Sequence, residues 1–181
     1  MKRVLPAVLA VLLVAGPAAA AAASPAAVVD HVAFGYLPPG LGTSTDFAYD
    51  FERVDFVARV WESRIPEGWR VDLDLVVMRG ARLSSPRALH NWFIRYDVRD
   101  PEPVYRRVRV HGHRGWLADD EVFWLICPGL AVSATVDGAR WARHDVRRIA
   151  QKAATERAVA RRPGVARRRA CGPTPRSPAA T

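Results

Sequence analysis

Between positions 69 and 77 apolar residues fall at every second place: Trp69, Val71, Leu73, Leu75 and Val77, separated by polar Arg70, Asp72 and Asp74. Period two with one polar side predicts an antiparallel strand with one face in the core and one in solvent. On this reading Trp69 lies on the core face, and Asp72 and Asp74 share the solvated one. Phe47, Tyr49 and Phe51 alternate with Ala48 and Asp50 in the same way, and residues 54–61 read as the next strand, with a turn at Pro66-Glu67-Gly68. Trp92, Ile94, Tyr96 and Val98 predict a further strand ended by Pro101-Glu102-Pro103, and residues 104–111 another with Val108 and Val110 inward. The run Val122-Phe123-Trp124-Leu125-Ile126-Cys127 is nearly all apolar and so predicts a central strand. Pro128-Gly129 turns it into residues 130–136, and Asp137-Gly138 ends the sheet.

Two helices interrupt this pattern. Ser84-Ser85-Pro86 supplies a hydroxyl cap followed by proline at the first helical position, which predicts a short helix over 87–91. Behind Asp145, the residues Val146, Ile149, Ala150, Ala153 and Ala154 recur at three- and four-residue spacing, giving a second helix with one apolar stripe. The expected architecture is α+β: a curved antiparallel sheet of six or seven strands, covered on one face and packed against a C-terminal helix. It would occupy residues 24–156, a length that buries a core without staples.

The two ends differ from this middle. Met1-Lys2-Arg3, an apolar run to Gly16 and an alanine tract from Ala18 to Ala23 have the layout of a secretory signal peptide over 1–23; a retained anchor is the alternative. Residues 157–181 hold seven Arg, four Pro, no acid and no aromatic, a composition that predicts a disordered basic tail. These ends change the meaning of the charge. The 181 residues carry 27 Lys and Arg against 18 Asp and Glu, a net of +9, which on its own suggests nucleic acid. Two of the basic residues lie in the signal segment and seven in the tail; the remaining 18 balance all 18 acids. A neutral exported domain with a basic tail is not expected to bind nucleic acid. Arg161, Arg162, Arg167, Arg168 and Arg169 would instead touch an anionic cell-wall polymer or lipid surface. Half of the residues are apolar, which excludes a wholly disordered chain.

Cys127 and Cys171 are the two cysteines. Export permits a disulfide between them, which would tie the tail to the domain, while a buried free Cys127 is the alternative.

Several short motifs in order carry a resemblance: Tyr36-Leu37-Pro38-Pro39-Gly40-Leu41, then Val108-x-Val110-x-Gly112 with Gly115, then Val122-Phe123-Trp124-Leu125, Pro128-Gly129 and Asp145-Val146-Arg147-Arg148-Ile149-Ala150. Over roughly residues 32–155 the chain resembles a group of small exported actinobacterial-type proteins. These are similar to the extracytoplasmic domains of anti-sigma and sporulation-type membrane proteins. The resemblance implies a lipoprotein-carrier-like sheet clasping a helix, and partner or ligand binding.

Candidate chemistry is sparse. His111-Gly112-His113 could offer two imidazoles to a metal with Asp119 as oxygen ligand, making a metal-dependent hydrolase; Gly112 and Gly115 equally suit a plain hairpin. No Gly-x-Ser-x-Gly elbow, His-Glu-x-x-His pair or phosphate-cradling glycine loop occurs, so no catalytic set and no cofactor are expected. Trp116 and Trp141, beside Arg114, Arg140 and Arg143, are the surface candidates for ligand binding, where arginine can lie over an aromatic face. The expected function is therefore binding of an envelope component, a lipid or a protein partner.

Overall fold

The computed structural model describes residues 26–97 and 103–155. Within them lie β1 (Ala27–Val29), β2 (Val32–Phe34), β3 (Thr43–Phe51), β4 (Val54–Ile65), β5 (Gly68–Arg79), α1 (Pro86–Tyr96), β6 (Arg106–Val110), β7 (His113–Leu117), β8 (Glu121–Cys127), β9 (Leu130–Val136), α2 (Arg143–Gln151) and β10 (Ala153–Thr155). Seven strands form one antiparallel sheet in the order β3-β4-β5-β9-β8-β7-β6, and β1-β2-β10 form a small second sheet. The fold is α+β, as the alternation predicts.

Side chains leave the large sheet on two faces, and both are covered. Leu73, Leu75 and Val77 of β5 join Trp124, Val132 and Ala134 beneath α2 and the small sheet. Val76 and Met78 of the same strand join Phe56, Phe123 and Leu125 beneath α1. The expectation of one covered face is thus corrected. The reason is α1, which begins where Ser85 and Pro86 predict but continues through Trp92 to Tyr96. Leu89, Trp92 and Phe93 are its buried residues, a helical spacing, so the strand expected over 92–98 is a helix as far as residue 96.

α2 carries Val146, Ile149 and Ala150 into the core, as expected, and stops at Gln151, so Ala153 and Ala154 pass into β10. Asp145, in its first turn, accepts the Ala142 N–H at 3.3 Å and the Tyr36 hydroxyl at 2.8 Å. The Arg148 guanidinium lies 4.0 Å from the Tyr36 ring centre. The loop before β3 is thereby fastened to the helix.

Three further expectations change. Trp69 is 59% exposed rather than buried, because it sits at the tip of the β4–β5 hairpin, beyond a register shift between Trp61 and Glu62, with the Arg64 guanidinium 5.7 Å from its ring centre. Phe47, Tyr49 and Phe51 occupy a strand as expected, but every residue of that strand is exposed. Asp72 is fully buried rather than solvated.

Candidate functional site

A groove of about 840 Å³ opens between the first turns of α1 and the β6–β7 hairpin. Local sequence builds each wall. The Ser85 hydroxyl accepts the Ala88 N–H at 3.1 Å, fixing the helix start and placing Arg87 and His90 along the rim. Opposite, His111 and Gly112 take positive φ values of 50° and 82° and turn β6 into β7. Arg107 then pairs with Trp116 and Arg109 with Arg114. Gly115 decides how closely β7 approaches β8: a Cβ there would lie 2.6 Å from the Phe123 carbonyl oxygen and 2.7 Å from the Trp124 Cβ. The close approach stacks Trp116 on Phe123, with ring centres 5.3 Å apart, and His90 lies beside both rings, 4.8 Å from Trp116 and 6.2 Å from Phe123.

The groove is therefore an aromatic floor with arginines around it. Arg109 donates to the Gly112 carbonyl at 3.0 Å. Among the described residues no carboxylate pairs with Arg87, Arg107 or Arg114. Such a group attracts anions, since like charges crowded at a low-dielectric wall raise the local positive potential.

The candidates named from sequence do not form one site. Trp116 and Arg114 line this groove. Trp141 lies in the opposite core under α2, 8% exposed, with Arg140 stacked 4.2 Å from its ring centre. Arg143 pairs there with Asp119. The expected arginine-on-tryptophan contact is made by Arg140, but on a buried Trp141 away from the groove rather than on a surface one.

His111 and His113 flank a small apolar recess of about 190 Å³ walled by Val32, Trp124 and Ile126. Burial and then the neighbouring His111 lower the pKa of His113. Asp119 stands beyond the other end of β7, on Arg143, so the structure does not bring the three together. No group of three potential metal ligands gathers among the described residues. Cys127 is disulfide-bonded. Cys171 and the tail residues Arg161, Arg162, Arg167, Arg168 and Arg169 lie outside the described residues.

A second cluster escaped the sequence. Asp74, Thr135 and Glu121 stand side by side across β5, β9 and β8. Glu121 is 2% exposed and accepts the Tyr105 hydroxyl and, at 3.1 Å, the Thr135 hydroxyl. One oxygen of Asp74 is buried without a hydrogen-bond partner. Burial and then the charge of Asp97 push its pKa up to about 6. The signal that could have found it was length: a twelve-residue strand is a candidate for the sheet interior, where an acid between apolar neighbours is covered whichever way it points.

No helix among the described residues is long and apolar enough to cross a membrane. No family model matches the chain. No curated protein and no solved structure matches it either, so the groove has to be interpreted from its own chemistry.

Proposed function

We propose that this chain is an exported binding domain whose groove between α1 and the β6–β7 hairpin holds a phosphate-bearing component of the cell envelope. The observation that carries the reading is the set Arg87, Arg107 and Arg114, which lines a concave wall with no carboxylate partner among the described residues. The described domain belongs to a charge-balanced stretch, so the excess is local rather than a property of the whole surface. Guanidinium groups bind phosphate through paired hydrogen bonds. Trp116, with His90 tilted 42° against it, gives the floor an aromatic surface for an adjoining ring or chain. Export, expected from residues 1–23, would bring the groove to the envelope side, and the extracytoplasmic domains that the sequence resembles are binders too.

The test compares the full chain with an Arg107→Glu/Arg114→Glu variant. Inorganic pyrophosphate in calorimetry, and phosphatidylglycerol vesicles in co-sedimentation, separate free phosphate from a headgroup. The native protein should bind at least one, more weakly as salt rises. The variant should lose about tenfold or more in affinity, the size of a lost charge-assisted hydrogen bond. Equal binding by the two proteins would sink the reading. Replacing Arg161, Arg162, Arg167, Arg168 and Arg169 with Ser, which keeps Cys171 in place, checks that the tail is not the source.

A further inference from the structure

The two edges of the large sheet are built differently. The β6 edge is five residues long and carries Arg106, Arg107 and Arg109, a short charged strand of the kind that discourages pairing with another chain. The β3 edge is nine residues long, has no Lys, Arg, Pro or Gly, and pairs with β4 without a bulge. Every residue of it is exposed, including Phe47 at 46%, Tyr49 at 44% and Phe51 at 47%. An unguarded edge with an aromatic stripe is a template for one more strand.

We infer that β3 pairs with β3 of a second copy of this chain, antiparallel and centred on Phe47, to make a twofold dimer with a continuous fourteen-stranded sheet. The strand's own sequence, Thr-Ser-Thr-Asp-Phe-Ala-Tyr-Asp-Phe, selects the occupant and the register. With Phe47 facing Phe47, all nine residues pair: Thr45 meets Tyr49 and Thr43 meets Phe51, the aromatic and β-branched pairs that stabilise strands. On the other side Asp46 meets Ala48 and Asp50 meets Ser44, so no carboxylate opposes another. Moving the centre to Ala48 would set Asp46 against Asp50 twice, and moving it to Asp46 would set that residue against itself. Asp46 is further neutralised by Arg59, which donates from Nη2 at 2.7 Å. Because the β6 edge is guarded, association closes at two copies rather than growing into a filament.

The experiment is sedimentation of the full chain over a concentration series. Native protein should show a monomer–dimer equilibrium. Ala48→Asp sets a like charge against Asp46 at two symmetric places and should raise the dissociation constant about tenfold. Ala48→Arg sets an opposite charge there and should lower it. Both changes are at an exposed position, and circular dichroism checks that each variant folds. A Phe47→Cys variant should cross-link to itself under mild oxidation, since directly opposed residues lie at disulfide distance, whereas Tyr49→Cys should not. A native protein that stays monomeric at all concentrations would overturn the inference. So would a dimer insensitive to both Ala48 changes, or an edge that accepts only a foreign extended peptide. None of these outcomes depends on phosphate binding, so this proposal and the groove can fail separately.

Discussion

Arg140 Nη1 lies 2.6 Å from Oδ1 of Asp72, joining residues 68 positions apart, and that carboxylate has no exposed surface. The same arginine donates from Nη2 to the Gly40 carbonyl at 2.9 Å and lies over Trp141. Asp72 in turn accepts the Gly42 N–H at 2.9 Å and the Ser63 hydroxyl. One buried acid thus ties the loop before β3 and the loop after β9 to the middle of the sheet. Gly42 is required there, because a Cβ would run into the Glu62 carbonyl.

Replacing Arg140 with Met should cost about 2–4 kcal/mol at pH 7, because it strands part of a buried charge. Denaturant unfolding measures it. Burial raises the pKa of Asp72, but the bonds from Ser63, Gly42 and Arg140 outweigh burial and leave it below the usual range. A lowered carboxylate contributes stability above its unfolded pKa near 4, lost as pH falls through the folded value. The Arg140→Met penalty should therefore shrink in acid.

Asp74 should behave in the opposite sense. Its pKa of about 6 lies above the unfolded value of 3.8, so the folded state holds a proton that the unfolded chain releases. Its contribution is complete below about pH 4 and is lost as pH rises through 6. Asp74→Asn should leave stability nearly unchanged at pH 4 and raise it by about 1–3 kcal/mol at pH 7.5. Thermal melts of both proteins across that range provide the check, and equal differences at both ends would contradict it.

Gly115→Ala tests how the groove floor is held. The added methyl meets backbone at 2.6 Å, which only a shift of β7 away from β8 can relieve. A cost of about 2 kcal/mol or more is expected, in line with overpacking at a rigid contact. Because Trp116 would lose its stack on Phe123, its fluorescence should move toward that of a solvated indole.

Strands β4, β5, β8 and β9 were legible because each is long enough for alternation to declare itself. The Pro128-Gly129 and Asp137-Gly138 punctuation placed the ends of β9 correctly. β1, β2 and β10 are three residues each, too short to show any period. α1 misled because Trp92, Ile94 and Tyr96 satisfy period two, while Leu89, Trp92, Phe93 and Tyr96 satisfy the helical one; the Ser85–Pro86 start was the better guide. The same helix explains Asp74, while Asp72 is covered by Gly42, Ser63 and Arg140 at the register shift between Trp61 and Glu62. A polar side on β5 means solvent only if nothing covers it, and α1 covers the face that carries Asp74.

The groove was half visible for a related reason. Sequence singled out Trp116 and Arg114 as an arginine–tryptophan neighbourhood, and Trp141 with Arg140 and Arg143 as another. Neighbourhood in sequence does not say which side of a sheet a residue occupies. Arg87 and His90, some 25 positions away, complete the groove through α1, while Trp141 and Arg143 belong to the opposite layer.

The small sheet has a consequence for how the domain can be mounted. Ala27 and Ala153 both stand opposite Phe34, one on each side of β2. The described chain enters at Ala27, opposite Phe34, and passes out at Thr155, opposite Val32, points two strands and two residues apart, roughly 12 Å by strand geometry. Both points lie on the α2 layer, behind the groove. Held by either end, the domain turns its arginine-lined face outward.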